Sequence, residues 1–233
     1  MKKAVAYCMT RNLYPNIMPS LKSLLLKGNI DEVYLLIEDD DIGFWLPDNV
    51  HCINVSGQKW IRKDSPNYNS KWTYMVMMKV VMSELFPQLS RILTLDVDTI
   101  VVGSISGLWD MDMKKYCVAG AREPYWTEQY GYNYINGGVM FWNLNRMRSK
   151  KTDLLVNALN TKKYKLTEQD CINEQLQGEI KIIDGAYNQS RYTDPPQERA
   201  RIIHFAAMGQ QLFMEQGIAK DYAQWPWDDI VRR

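Results

Sequence analysis

The stretch RILTLDVDTIVV, Arg91 to Val102, decides how the chain is read. Arg91 to Leu95 forms a short apolar run that leads straight into Asp96-Val97-Asp98. The apolar series resumes at Thr99 to Val102 and stops at the turn residues Gly103 and Ser104. A buried strand that delivers acids at its carboxyl end is the mark of an open α/β sheet, where ligands sit beyond the strand ends. In a straight strand, residues i and i+2 share one face, so Asp96 and Asp98 are expected on the same side. Charges held that close to a core need a cation or hydrogen bonds to offset desolvation. A hard divalent ion bridging a diphosphate meets that need through oxygen ligands. A pair of capping or turn aspartates is the alternative reading.

Working upstream, Lys3 to Met9 reads as a short buried strand. Ile17 to Leu26 has helical periodicity and ends at Lys27-Gly28, and Asp31 to Glu38 is a second strand. These make a βαβ unit with parallel strands, because the helix must cross over one face of the sheet. Val50 to Val55 supplies a third strand. Lys71 to Phe86 reads as a central helix, apolar around much of its girth and stopped by Pro87. Downstream, Val118 to Ala121 and Tyr134 to Leu144 read as strands, the second interrupted by Asn136-Gly137-Gly138. Leu154 to Leu159 and Glu168 to Leu176 read as helices, and Ile180 to Ile183 and Arg201 to Phe205 as late strands. Asp194 to Glu198 is the clearest loop. The last twenty residues read as an irregular tail.

Composition bounds the function. The chain has 233 residues, 46% of them hydrophobic, and a formal net charge of +1, which lacks the basic footprint of a nucleic-acid binder. No apolar run is long enough for a transmembrane segment and the first residues lack an apolar leader core, so a cytoplasmic protein is expected. Cys8, Cys52, Cys117 and Cys171 form no C-x-x-C pair and read as reduced structural thiols. With only His51 and His204 present, a metal must rely on carboxylates, which favours Mn²⁺ or Mg²⁺.

D-x-D occurs three times, at Asp39/Asp41, Asp96/Asp98 and Asp110/Asp112, and chance alone gives about one in a chain of this size. Asp39/Asp41 reads as a solvated charge run and Asp110/Asp112 as a turn or cap. Context singles out Asp96/Asp98. His204, closing the strand Arg201-Ile202-Ile203, reads on its own as a satisfied core histidine, and becomes a ligand candidate if that acid pair needs a third partner.

Taken in order, RILTLDVDTIVVGSISGLWD (Arg91 to Asp110), YINGGVMFWNLNRMR (Tyr134 to Arg148), LTEQDCIN (Leu166 to Asn173), AYN (Ala186 to Asn188) and His204-Phe205 resemble the ordered motifs of family 8 glycosyltransferases. The resemblance spans nearly the whole chain. It implies an α/β GT-A fold, a single domain with a mostly parallel twisted central sheet flanked by helices. It also implies transfer of a sugar from a UDP-sugar with retention of anomeric configuration, using Mn²⁺. Asp96 and Asp98 match the metal-binding D-x-D, and His204 the third metal ligand. Thr10, Asn12 and Tyr14 match the loop that holds uracil and ribose, and Lys79 the basic residue that contacts donor phosphate or sugar. Asn136 and Gly137 match the N-x-G motif beside the donor sugar, and Glu168 and Gln169 the acid-amide pair beside the anomeric carbon. Val97 belongs to the same donor site.

The resemblance also shows departures. The family's Lys-Pro-Trp ending after the histidine is replaced by a run with Gln210 near the lysine position, which leaves Lys220, Arg191 or Arg199 as substitutes. Trp225-Pro226-Trp227 is a displaced version of that ending or a surface tail, and Glu123 stands near an expected Asp. The implied organisation is one domain, with residues 1–103 as the nucleotide-binding half, 104–210 as the donor-sugar and acceptor half, and 211–233 as a tail. The implied donor is a UDP-hexose, UDP-glucose or UDP-galactose first. The acceptor is a glycan, lipid-linked or protein carbohydrate acceptor. The alternative is a non-catalytic module of the same fold that binds nucleotide-sugars or glycans.

Overall fold

The computed structural model describes residues 1–148, 150–197 and 199–231; Glu198 of the predicted loop and the last two residues of the predicted tail lie outside them. The strands are β1 (Ala4–Cys8), β2 (Glu32–Ile37), β3 (Val50–Asn54), β4 (Arg91–Leu95), β5 (Thr99–Val101), β6 (Val118–Ala121), β7 (Val139–Asn143), β8 (Ile180–Ile183) and β9 (Ile202–His204). The helices are α1 (Ile17–Lys27), α2 (Met82–Leu85), α3 (Gly107–Asp110), α4 (Pro124–Tyr130), α5 (Leu144–Met147), α6 (Lys151–Thr161), α7 (Thr167–Gln175), α8 (Gln210–Glu215), α9 (Gly217–Gln224) and α10 (Trp227–Val231).

Seven strands form one sheet in the order β3-β2-β1-β4-β7-β6-β8. The pairs among β3, β2, β1 and β4 are parallel, as is β6 with β8, and β7 runs antiparallel to both of its neighbours. The predicted βαβ unit is there, with Ala4 to Cys8 in register with Glu32 to Leu36. Strand β1 shows why both faces are covered. Ala4 and Ala6 pack with the methionine-rich segment before α2, while Val5 and Tyr7 pack against the α1 side.

Several expectations are corrected. The helix predicted from Lys71 begins at Tyr74, where Thr73 has φ 62 and its side chain accepts a hydrogen bond from the Met75 N–H. It is a 3₁₀ helix over Tyr74–Val81 before the short α2. The strand predicted from Tyr134 reduces to β7, because Gly137 and Gly138 form a turn that leaves only an isolated bridge at Ile135 before it. Pro124–Tyr130 is a helix that its aromatic composition concealed. The predicted irregular tail holds the end of α8 and the whole of α9 and α10. Lys22 of α1 ties it down, with Nζ donating to the carbonyls of Ala223 and Trp225 at 2.8 and 2.7 Å. The Asp96-Val97-Asp98 segment is a turn between β4 and β5 rather than straight strand.

No helix among the described residues is long and apolar enough to cross a membrane.

Candidate active site

Two pieces of backbone assemble the cluster around Asp96. The turn after β4 is pinned by the Asp96 N–H donating to the Gly138 carbonyl at 2.8 Å, and by the Thr99 hydroxyl donating to the Asp96 carbonyl at 2.8 Å. Strands β5 and β9 then pair antiparallel with Thr99 opposite His204, and the Phe205 N–H donates to the Asp98 carbonyl at 3.0 Å. That register, not a strand pleat, carries the imidazole to the acids. His204 Nε2 lies 3.4 Å from Asp98 Oδ1 and 3.8 Å from Asp96 Oδ2. One ligand atom from each of Asp96, Asp98 and His204 falls within 4.8 Å of the others.

The imidazole's orientation follows from a hydrogen-bond chain that begins at a main-chain donor. The Gly138 N–H donates to Asn136 Oδ1 at 2.9 Å, and Asn188 Nδ2 donates to the same oxygen at 3.0 Å. That leaves Asn188 Oδ1 facing His204 Nδ1 at 2.9 Å. An amide oxygen only accepts, so Nδ1 carries a proton, and when the ring is neutral Nε2 turns its lone pair toward the carboxylates. This is the tautomer a metal-ligating histidine needs. Gly138 makes the packing feasible, because a Cβ there would come within 2.0 Å of His204 Cε1. Burial opposes a charged His204, yet Asp98 and then Asp96 raise its proton affinity above the ordinary imidazole value. Burial likewise pushes Asp98 up, and His204 more than offsets it, holding the carboxyl below its usual range.

Lys79 is buried beneath this cluster. Its Nζ donates to Asp96 Oδ1 at 2.6 Å, the Gly137 carbonyl at 3.0 Å and Glu168 Oε1 at 3.2 Å. An ammonium has three N–H groups, so Lys79 can meet a ligand only by releasing one of these partners. Burial disfavours its charge, but Asp96 and Glu168 raise its pKa above the ordinary lysine value. Glu168 enters from the start of α7, just after Thr167, whose φ of 41 is unusual for a β-branched residue. Its other oxygen accepts from the Thr167 hydroxyl at 2.7 Å.

Gln169 is engaged at both ends of its amide. Oε1 accepts from the Gly137 N–H at 2.6 Å, and Nε2 donates to Glu123 Oε2 at 3.0 Å and to the Tyr134 hydroxyl at 3.2 Å. Asn136 Nδ2 also donates to Glu123 Oε2 at 3.3 Å, and burial raises the pKa of that carboxyl. The Val97 side chain packs in the α1-side core.

A cleft of 460 Å³ opens beside Tyr14 and is lined by Arg11, Asp39 and Ile42 among others. Tyr14 donates to Asp39 Oδ2 at 2.9 Å and accepts from the Glu38 N–H at 2.9 Å, while Arg11 Nε donates to Asp39 at 2.8 Å. Thr10 donates to Asn12 at 2.5 Å. Asp39 is therefore a fixed partner of the loop after β1, not the freely solvated charge its sequence context suggests. Tyr14, Asp39 and Asp96 follow β1, β2 and β4 respectively, so both clusters lie at strand carboxyl ends, the ligand-binding edge of an open sheet.

The model of the family described as Glycosyl transferase family 8 matches residues 5–210. The chain belongs to that family. A Haemophilus influenzae protein that carries the provisional name of glycosyltransferase is 27% identical over 137 residues, covering 52% of this chain and 40% of that relative. The chain is thus matched to less than half the length of that relative. Among solved structures, the galactosyltransferase LgtC in complex with donor and acceptor sugar analogues superposes with a TM-score of 0.68 at 16% identity, covering 97% of this chain and 99% of that one. The glycosyltransferase GlyE of Streptococcus pneumoniae TIGR4 gives 0.71 at 17% identity over 100% of this chain and 62% of that chain. At these identities the structures establish the fold, a GT-A glycosyltransferase fold.

This family 8 chain departs from the expected ending as its sequence suggests. Gln210 opens α8, Lys220 and Arg199 are exposed, and Arg191 reaches the Ala207 carbonyl at 3.4 Å in the loop that follows His204. Trp227 lies under Lys22 Nζ at 4.9 Å and edge-on to Trp45 at 5.6 Å, so the Trp-Pro-Trp segment is packed tail. Sequence reading gave no role to Asn188, although it stands in the AYN motif, or to Tyr134, and it left Glu123 undecided. Asn188 is a fully buried amide beside a candidate ligand, a property that only the fold reveals.

Proposed function

We propose that this chain is a retaining hexosyltransferase that moves a hexose from a UDP-sugar, UDP-glucose or UDP-galactose first, to a carbohydrate-bearing acceptor with the help of Mn²⁺ or Mg²⁺. The observation that carries this reading is His204 Nε2, turned toward two carboxylates by the Asn188 contact on the other ring nitrogen, in a family 8 chain. Two carboxylates and one imidazole make a donor set suited to Mn²⁺. Asp96, Asp98 and His204 would hold the ion, which when bound neutralises charge gathering on a departing diphosphate.

The protein's own groups suit a front-face transfer, in which the acceptor hydroxyl attacks the face that UDP leaves. Glu168 has both oxygens engaged, by Lys79 and by Thr167, which blunts it as a nucleophile. Gln169 is fixed at both amide ends. It can orient the donor sugar and oppose its developing positive charge with an amide oxygen dipole, and Asn136 and the Gly137 backbone frame the same place. Thr10, Asn12 and Tyr14 would receive the nucleotide in the cleft beside Asp39, with the main chain of Val97 next to Asp96. Halves meeting near residue 103 and a cytosolic setting are part of the same reading.

The test is hydrolysis of a panel of UDP-hexoses with Mn²⁺, with and without EDTA. Chelator-sensitive release of UDP from one donor is expected. UDP binding without turnover on any donor would favour the non-catalytic module.

A further inference from the structure

Residues 123–134 form a closed loop whose two ends both sit in the site. Glu123 accepts from Asn136 and Gln169, while Tyr134 donates to Asp170 at 2.5 Å and accepts from Gln169. The Glu123 N–H donates to the Tyr134 carbonyl at 2.7 Å and closes the neck. Between them α4 carries three aromatic residues in seven and buries none of them. Gly131, at φ 74, then turns the chain back so that Tyr132 and Tyr134 both stack on Tyr130, each at 5.6 Å. Trp126 stacks on Tyr130 at 5.5 Å and lies 6.2 Å from Tyr134, and Tyr125 meets it edge-on at 4.9 Å. The outer rings stay in solvent, Tyr125 at 62% and Tyr130 at 42% exposure.

Five aromatic rings with no Leu, Ile, Val or Met anywhere in 124–134 make ring faces and edges the whole apolar surface of this loop. They suit a sugar ring. A pyranose has apolar C–H faces that seek the electron-rich face of an aromatic ring, and hydroxyl edges that seek amides and carboxylates. Glu128, Gln129 and Asn133 stand exposed on the same loop to supply those edges. We propose that this aromatic pad is the platform for the saccharide chain of the acceptor, and that Glu123 and Tyr134 connect it rigidly to Gln169. The proposal rests on the glycosyl-transfer reading above and adds to it the acceptor's chemical class: a neutral oligosaccharide of at least two rings, one in the site and one on the pad.

The test measures donor and saccharide separately on the full chain. UDP with Mn²⁺ is titrated by calorimetry, and lactose, maltose, cellobiose and chitobiose are followed by saturation-transfer NMR at millimolar concentration. Wild type binds at least one of the four, and Trp126→Ala/Tyr130→Ala loses at least tenfold of that affinity while UDP affinity stays within twofold. Equal disaccharide binding by the double variant overturns the proposal, as does a wild type that binds none of the four. Loss of binding to phosphatidylcholine–phosphatidylglycerol vesicles in the variant, with sugar binding intact, overturns it in favour of a membrane contact. A wild type that binds disaccharide but not UDP refutes the donor reading and leaves the pad standing.

Discussion

Two charge clusters, one beside an edge strand and one at the end of the central strand, show what separates a site from a strut. Beside the edge strand β8, Glu179 meets Arg146 at 2.5 Å and also pairs with Lys151. Burial alone would push this carboxyl up, but the two cations bring it down to about 2. One acid with two cations, all partly in solvent, is electrostatically complete. Around Lys79 the balance runs the other way. Asp96 and Glu168 share the single buried ammonium of Lys79, and Asp98 has His204 Nε2 beside it, so three carboxylates face one permanent cation. A packed interior does not leave negative charge unmatched without reason. The shortfall is what a divalent cation would fill.

The largest expected effect comes from deepening that contrast. Asp98→Ala should lower UDP-hexose turnover by about three orders of magnitude, with a melting temperature close to wild type because the carboxylate holds no strand together. Lys79→Ala attacks the same cluster through the fold. It strands Asp96 and Glu168 without their cation and should cost about 3–5 kcal/mol in urea unfolding.

Asn188 separates orientation from mere packing. Asn188→Leu removes the acceptor on His204 Nδ1 and should weaken Mn²⁺ binding by about 10–100-fold. Asn188→Asp still accepts that proton and should recover most of the loss, which a purely structural role would not predict. The affinity for Mn²⁺ should also fall with acidity. His204 has its proton affinity raised above the ordinary imidazole value by Asp98 and Asp96, so proton competition should set in at a pH higher than an unperturbed histidine would show, as followed by calorimetry.

The smallest effect lies at the strut. Glu179 has a folded pKa below its unfolded value, so its contribution to stability is complete above the unfolded value and fades as pH falls toward 2. Glu179→Gln should cost about 1 kcal/mol at neutral pH, a figure kept low because the pairs are partly solvated, and nothing near pH 2.

Much of this was legible in the chain itself. Buried runs at Lys3 to Met9, Asp31 to Glu38 and Arg91 to Leu95 announce parallel central strands because alternation fails where both faces are covered. The position of Asp96 after a strand already points to the ligand edge. The 3₁₀ character of Tyr74–Val81 could not be read, because an all-round apolar segment has no periodicity to distinguish 3₁₀ from α. The role of Asp39 was hidden for another reason. A run of acids looks solvated until Arg11 and Tyr14, from the other end of a βαβ unit, are seen against it. The tail's helices are short and are held by distant parts of the chain, Lys22 of α1 at Ala223 and Trp225, and Ile100 of β5 packed with Phe213 and Ala219.

The most direct test of the cation-deficit claim is an Mn²⁺ titration of the wild type and Asp98→Ala in the presence of UDP, read as the loss of the free-ion paramagnetic resonance signal. One tightly held Mn²⁺ per wild-type chain, absent from the variant, is the predicted result. A wild type that leaves the signal untouched, or a variant that holds the ion equally well, would contradict it.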